Sequence, residues 1–374
     1  MCGISGEVTF SDQPASSAAV AAMNGVLAPR GPDGEGIVAR RRAALGHRRQ
    51  KIIDLSERPE QPMVDAELGL TLVFNGCIYN HAEIRRELEG KGYRFFSTGD
   101  TEVLAKAYHA WGPDFAKRLF GMFAFAIFER DSGRLVLGRD RLGIKPLYLA
   151  STPGRLRFAS TLPAILAAGD VDRSIDPVAL HHYMSFHAVV PAPRTLLQGV
   201  RKLPPATIRI YEPDGRSKDI VYWTLAFDRS AADEKRPAAE WRAMLLDALR
   251  RAVDRRMVAD VPVGALLSGG VDSSLIVGLL AEAGQKDLQT FSIGFDARNG
   301  EAGDEFAYSD LIASHFGTRH HRLPIPTSEV LGALPDTVAA MSEPMVSHDN
   351  VAFYLLSREV ARHVTVVQSG QGSG

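Results

Sequence analysis

The sequence predicts two domains of different class: an α+β sandwich with helices over sheets, then a doubly wound α/β domain with a parallel sheet. Three observations predict it. At 374 residues the chain exceeds one ordinary core. Residues 1–212 carry many short extended stretches, several joined by turn sequences, and few helices. From residue 238 onward, apolar stretches of strand length alternate with segments of helical period, as strand–helix–strand units do. Between these halves, residues 213–237 are polar, contain Pro213 and Gly215, and close on the charge cluster 233–236, so they read as a linker.

In order along the first half, residues 3–10 alternate and predict a strand, 18–27 a short helix, and 44–47 and 52–54 extended pieces. Residues 70–74 form an apolar strand ending at Asn75-Gly76. Residues 82–91 place Ile84 and Leu88 on one helical face, and 101–111 predict another helix. Asp131-Ser132-Gly133 is a turn sequence between strands 123–129 and 135–139, and Pro153-Gly154 joins 147–150 to 156–159. In the second half Trp241, Leu245, Leu249 and Ala252 fall at helical spacing within 239–258. Strands at 263–267, 288–295, 320–323 and 364–367 alternate with helices at 272–283, 306–316, 330–341 and 351–363. No internal repeat or long low-complexity run interrupts the pattern.

Bulk composition narrows function. The chain is 45% hydrophobic and 23% charged, values of a soluble globular protein. A net charge of −1 gives no global field for nucleic acid or an anionic membrane. Two cysteines exclude a disulfide scaffold and suit a reducing cytosol. No apolar run reaches the length of a membrane span, and no signal-peptide pattern opens the chain, so the expected location is cytoplasmic.

Two features carry chemistry. Met1-Cys2-Gly3-Ile4 opens the chain, and a small second residue permits removal of Met1. Cys2 then bears a free α-amine, which titrates at about 7.7–8.0 and is placed to take the thiol proton. An N-terminal amine is one known activator of such a nucleophile. A chance cysteine is the bland alternative, weakened here by partners downstream. The second feature is Ser268-Gly269-Gly270-Val271-Asp272-Ser273-Ser274, between a buried strand and a helix. Two glycines let backbone N–H groups close round an anion, the serines add hydroxyls, and Asp272 suits a Mg²⁺ ion held against a phosphate. It is not the Gly-x-x-x-x-Gly-Lys loop. A Ser/Gly turn with a helix cap is the bland alternative.

The Ser268–Ser274 run resembles the pyrophosphate loop of N-type ATP pyrophosphatases. Cys2-Gly3-Ile4, Arg30-Gly31-Pro32-Asp33, Asn75-Gly76-Cys77-Ile78-Tyr79-Asn80, Gly99-Asp100-Thr101-Glu102, Gly121-Met122-Phe123-Ala124-Phe125 and the run from Arg139 to Tyr148 resemble class II glutamine amidotransferases. Together they resemble the glutamine-hydrolysing asparagine synthetase family over the whole chain. The runs from Ser185 to Pro193 and Val367 to Gly372, with Asn75-Gly76-Cys77, are similar to its N-acetylglutaminylglutamine amidotransferase branch.

The resemblance implies a four-layer αββα first domain of Ntn-hydrolase type, and an activity in which glutamine-derived ammonia amidates a carboxylate activated by ATP with Mg²⁺. The acceptor it implies is a small dipeptide, with aspartate, or an impaired paralogue, as the alternatives; a homodimer is the implied assembly. It assigns Cys2 as nucleophile, Asn75 and Gly76 as oxyanion donors, and Arg49, Ile53, Asn75, Cys77 and Asp100 as the glutamine-binding set. For ATP it assigns Leu267, Ser268, Gly269, Gly270, Asp272, Ser273, Ser274, Ile293, Ser369 and Gly370, with Asp272 on the metal. Core packing alone also accounts for Ile53, Leu267 and Ile293. Met122 and Leu142 are expected along an ammonia passage. Three departures stand out. Cys77 replaces a glutamate that helps hold the glutamine ammonium. Gln371 replaces an acidic residue. The family continues beyond the position of Gly374 with an acidic pair and a lysine-bearing helical region, so the expectation is intact glutaminase machinery with impaired amide synthesis.

Overall fold

The computed structural model describes residues 1–228, 230–296, 303–347 and 349–371. These form two compact units, Met1–Ala226 and Phe227–Gly374. The first contains strands β1 (Gly3–Thr9), β2 (Gly34–Arg40), β3 (Ala43–Arg49), β4 (Met63–Asp65), β5 (Leu70–Ile78), β6 (Gly121–Glu129), β7 (Leu135–Arg139), β8 (Tyr148–Thr152), β9 (Arg155–Ala159), β10 (Arg201–Lys202), β11 (Thr207–Tyr211) and β12 (Ser217–Val221). Its helices are α1 (Ser17–Leu27), α2 (His81–Gly90), α3 (Asp100–Trp111), α4 (Leu162–Ala167) and α5 (Pro177–Ser185). Two antiparallel sheets result, in the orders β10-β8-β9-β1-β3-β2 and β12-β11-β7-β6-β5-β4.

Period-two alternation decides what each strand face meets. Ile4 and Val8 of β1 and Leu45 of β3 share one apolar cluster with Val73, Ala124 and Leu137 of the other sheet. The opposite faces take helices: Val20, Met23 and Leu27 of α1 meet Ala44 and Tyr148, while Ile84 and Leu88 of α2 meet Phe74 and Ile78. Hence Ile4 and Val8 of β1, Leu45 and His47 of β3, and Val73 and Asn75 of β5 turn toward the space between the sheets, with Cys2, Arg49 and Cys77 following at the same alternation.

The second unit contains α6 (Ala231–Glu234), α7 (Ala238–Arg255), β13 (Val263–Leu266), α8 (Val271–Glu282), β14 (Gln289–Phe295), α9 (Phe306–Phe316), β15 (Arg319–Ile325), α10 (Thr327–Gly332), α11 (Leu334–Ala340), α12 (Asp349–Val360) and β16 (Val366–Gln368). Its sheet is parallel, in the order β15-β14-β13-β16. The chain steps outward from β13 to β15, then returns to the other side of β13. The strand order therefore reverses between β13 and β16, the kind of point where open α/β sheets bind ligands beyond their strand ends.

Three expectations are corrected. The stretch 213–237 is not all linker: β12 lies inside it, paired with β11 from Thr207↔Val221 to Tyr211↔Ser217, and its polarity is that of a solvated edge strand. Residues 52–54 form no strand; Asp54 has φ 54°, which breaks the extended run. The helix expected over 330–341 is two short helices, with Pro335 in the first turn of the second. Gly372 of the closing motif lies outside the described residues.

Candidate active site and nucleotide loop

Cys2 sits one residue ahead of β1, half-buried. Its Sγ accepts from the Gln50 N–H at 3.4 Å and lies 3.6 Å from the Gln50 carbonyl oxygen, so the thiol rests on the residue that follows Arg49. Arg30 Nε donates to the Cys2 carbonyl at 3.3 Å. The Asp33 N–H donates to the Arg49 carbonyl at 2.9 Å, and the Asp33 carboxylate accepts from the Lys51 N–H at 2.9 Å. The Arg30–Asp33 motif thus braces Cys2 against the end of β3. Met1 is seated in the same place: its ammonium donates to the Gln50 side-chain carbonyl. Burial, with Arg30 and Lys145 nearby, pushes that amine down to about 6. Burial also raises the proton affinity of the Cys2 thiol, as does Asp100, while Gln50, the N-terminus and Lys145 oppose the rise.

Asn75 is 1% exposed, and its Nδ2 has no hydrogen-bond partner among the described residues. A buried amide donor left unmet costs about 1–3 kcal/mol, so this atom marks a place for an acceptor the folded chain does not supply. Gly76 follows. A Cβ there would lie 2.3 Å from the Met122 carbonyl oxygen, so only glycine lets β5 run this close to β6. Cys77, on the same strand face as Asn75, is buried, and burial with Asp100 holds its thiol far above the ordinary range. Asp100 is buried in the first turn of α3, its carboxylate accepting from the Ile78 N–H at 2.9 Å. Burial raises its proton affinity, and the Ile78 hydrogen bond and His81 act against that.

Arg49 is buried and fixed by carbonyls: it donates to Ser56 at 2.7 Å and to Asp54 at 2.6 Å. Asp54 secures that loop. Its carboxylate accepts from the Ser56 N–H at 3.1 Å, the Ser56 hydroxyl at 2.5 Å and the Thr98 N–H at 2.8 Å. Burial alone would raise Asp54, but these donors bring it down to about 2. One carboxylate therefore links the Arg49 loop to the segment leading into Asp100. Ile53 lies half-buried in this loop, so strand-core packing does not account for it.

Sequence reasoning gave His47, Asp54 and Lys145 no role. His47 is fully buried on β3, its Nε2 3.1 Å from the Phe74 carbonyl, next to Asn75. Burial pushes it down to about 3, the Phe74 carbonyl opposing and Arg49 assisting. The ring is therefore neutral and donates through Nε2. An unfolded histidine titrates near 6.5, so between these values the unfolded chain binds one proton more. Stability present above about pH 6.5 is expected to be lost as pH falls toward 3, at up to about 1.4 kcal/mol per pH unit from this group. Urea midpoints measured against pH check this, and His47→Gln, whose amide can still donate, is expected to flatten the dependence.

In the second unit the loop 267–270 connects β13 to α8. Gly269 has φ 87°, and a Cβ there would lie 2.5 Å from Tyr308 Cβ. The hydroxyls of Ser268 and Ser273 are 3.0 Å apart, and the Gly270 N–H faces Ser268 Oγ at 3.3 Å. Ser274 Oγ is buried without a hydrogen-bond partner among the described residues. Gly370, just after β16, packs against the same turn: a Cβ there would lie 2.8 Å from the Ser273 nitrogen and 3.0 Å from Asp272 Cβ. Thus Ser268, Gly269, Gly270, Asp272, Ser273, Ser274 and Gly370 meet at the strand-order reversal, with Ser369 beside Gly370 in the chain. Leu267 is buried below them, its N–H bonded to the Phe291 carbonyl at 2.8 Å. Ile293 lies on β14, partly buried among Phe291, Leu266 and Leu323; core packing accounts for it as well. Among the described residues no cluster of three metal-ligating side chains occurs. Asp272 is the carboxylate in the first turn of α8. A single carboxylate suits Mg²⁺, which takes most of its other oxygens from phosphates and water.

Residues 1–223 match the glutamine amidotransferase domain family, and residues 244–374 match the asparagine synthase family. The chain belongs to the glutamine-hydrolysing asparagine synthetase family. Asparagine synthetase [glutamine-hydrolyzing] 1 of Bacillus subtilis is 35% identical over all of this chain and 58% of its own length. The putative asparagine synthetase [glutamine-hydrolyzing] 2 of Methanocaldococcus jannaschii is 34% identical over all of this chain and 74% of its own. Asparagine synthetase B of Escherichia coli is 30% identical over 94% of this chain and 59% of its own. The chain thus spans a little under three fifths of the first and last of these relatives. Among solved structures it is similar to the Bacillus subtilis glutamine phosphoribosylpyrophosphate amidotransferase, with TM-score 0.47 and 16% identity over 86% of this chain and 90% of that one. Among the described residues of this family member no helix is long and apolar enough to cross a membrane.

Gly269→Ala is expected to strain the 267–270 loop by about 1–3 kcal/mol, because the positive φ and the Tyr308 contact both force the loop to move. The melting temperature of the variant checks it.

Proposed function

We propose that the first unit hydrolyses glutamine at Cys2 and that the second activates a carboxylate with ATP for amidation by the ammonia released. In this reading the first unit is an Ntn-hydrolase-type αββα glutaminase domain, and the second is the nucleotide-binding part of an ATP pyrophosphatase domain. The observation that carries it is the buried, unpartnered Nδ2 of Asn75 on the strand face it shares with Cys77. Asp100 and Lys145 act electrostatically on both Cys77 and Cys2, which brings that face into the neighbourhood of the nucleophile.

With Met1 removed, the Cys2 amine takes the thiol proton and sulfur attacks the side-chain carboxamide carbon of glutamine. The carbonyl π electrons move onto oxygen, and Asn75 Nδ2 with the Gly76 N–H stabilise that oxyanion. Collapse breaks the carbon–nitrogen bond. The amine returns the proton to the departing nitrogen, ammonia leaves, and water hydrolyses the thioester to glutamate. Arg49 binds the glutamine α-carboxylate, with Ile53 alongside, and Asp100 faces the α-ammonium. Burial and Asp100 hold the Cys77 thiol protonated, so it does not compete as a nucleophile.

ATP, when bound, supplies the adenylyl group that makes the acceptor's carboxylate oxygen a leaving group. The α8 N-terminus, Ser268, Gly269, Gly270, Ser273 and Ser274 would hold its phosphates, and Asp272 would be the carboxylate for Mg²⁺, which would neutralise phosphate charge. Leu267, Ile293 and the Ser369-Gly370 backbone flank the nucleotide. The acceptor proposed is a small dipeptide such as N-acetylglutaminylglutamine, supported by the resemblance of the Ser185–Pro193 and Val367–Gly372 runs and of Asn75-Gly76-Cys77, with neutral Gln371 speaking against aspartate. Aspartate is the second reading, favoured by the asparagine synthetase names of the relatives. The test supplies glutamine and ATP with each acceptor in turn and measures glutamate and AMP. Glutamate with dipeptide-dependent AMP supports the proposal, aspartate-dependent AMP selects the second reading, and no glutamate overturns both.

A further inference from the structure

We propose that Lys145 is a positioning residue for Cys2, its buried ammonium setting the charge around the nucleophile once Met1 is gone. The inference rests on the reading of Cys2 as nucleophile. Lys145 lies in the loop between β7 and β8, and the loop is fixed from inside. The Asp140 carboxylate accepts from the N–H groups of Phe123 at 3.1 Å, Leu142 at 3.2 Å, Ile144 at 2.9 Å and Lys145 at 2.9 Å. The Arg139 guanidinium donates to the carbonyls of Lys145 at 2.9 Å and of Leu203 and Gly143 at 2.6 Å. Asp140 is thus occupied by backbone donors. The Lys145 side chain is 3% exposed, and its Nζ rests 2.7 Å from Met1 Sδ, a weak acceptor.

A buried ammonium whose hydrogen-bond partner is a thioether is a cost to the fold. Removal of Met1 takes that partner away and leaves the charge facing the new N-terminus. Arg30 and Asp33 ahead of β2, Cys77 on β5 and Asp100 on α3 are the other charged and titratable groups that act on this place, with the Gln50 backbone beside the thiol. Asp100 favours the protonated thiol; Lys145 favours both thiolate and neutral amine, the pair needed for proton transfer from sulfur to nitrogen. Burial lowers Lys145 itself to about 8, with Arg30 assisting, so it is still mostly charged at pH 7.

The test is the pH dependence of Cys2 alkylation by iodoacetamide in the Met1-processed full chain, read on the N-terminal peptide by mass spectrometry. Lys145→Met is expected to move the midpoint up by about one pH unit, so that labelling at pH 7 falls about tenfold and converges with the unmodified protein at high pH. Lys145→Arg is expected to keep most of the original profile, and the melting temperature of Lys145→Met to be unchanged or higher. A midpoint that does not move in Lys145→Met overturns the proposal; Lys145→Gln gives the same comparison if the methionine variant does not fold. Glutamate release separates the two levels. An unmoved midpoint in a chain that still hydrolyses glutamine through Cys2 rejects the role of Lys145 alone. Glutamate release indifferent to Cys2→Ala rejects the glutaminase reading.

Discussion

Cys2→Ala is expected to reduce glutamate release from glutamine by at least about 10⁴-fold, the scale on which loss of a covalent nucleophile is felt, with no loss of folding. The side chain is small and half-buried, and its thiol bonds to the Gln50 backbone at 3.4 and 3.6 Å, so its removal leaves little packing unfilled. No second thiol can take over. Cys77, the other cysteine, is buried, and its proton affinity is driven up by burial and by Asp100. Retained Met1 blocks the same chemistry. While Met1 remains, the nitrogen of Cys2 is an amide without basicity, and the Met1 ammonium and thioether occupy Gln50 and Lys145. A chain that retains Met1 is therefore expected to be as inactive as Cys2→Ala, which N-terminal mass and glutamate assay on the same sample would resolve. Comparable activity in Cys2→Ala would remove the first unit from this chemistry altogether.

What could be read beforehand followed the range of the interaction. Strands β6 and β7 were legible because a turn sequence joins two apolar runs, so the pairing from Ala124↔Arg139 to Phe128↔Leu135 is local. Strand β2 was not: only alternate residues are partly covered, and its two glycines dilute the pattern. Strand β12 was hidden for the same reason, being an edge whose side chains are mostly solvated. The site divides along the same line. Cys2, Arg49, Asn75, Asp100 and the Ser268–Ser274 loop carry motifs in the chain itself. His47, Asp54 and Lys145 acquire meaning only from partners brought in by folding: the Phe74 carbonyl, the Thr98 N–H and Met1. Histidine, aspartate and lysine in those places are ordinary until burial removes water from them, which is when a charge or a lone donor starts to matter. The reversal of strand order between β13 and β16 is likewise topological, and it brings Gly370 to a loop about a hundred positions earlier in the chain.

Asn75→Ala is expected to lower kcat for glutamine hydrolysis by about 10²–10³, with KM little changed, which corresponds to about 3–4 kcal/mol of lost transition-state stabilisation. The donor is idle in the resting protein. Asn75 Nδ2 is buried without an acceptor, so the folded chain gains nothing from it and bears its desolvation. A carboxamide oxygen in the ground state offers a weak acceptor there. The oxyanion of the tetrahedral intermediate offers a strong one, so the bond is worth most at the transition state and the effect falls on kcat. Alanine deletes the idle donor together with its desolvation cost, so stability should hold or rise even as catalysis falls. Asn75→Asp separates this from a packing role. It keeps the shape but replaces the donor with an acceptor facing a developing negative charge, and it is expected to be at least as slow as alanine. If Asn75→Ala instead raised KM with kcat unchanged, the amide would be a ground-state contact to glutamine. If it destabilised the fold, the unpartnered nitrogen would have a structural partner in solution. Melting temperature and the kcat–KM split, measured on the same two variants, distinguish the three outcomes.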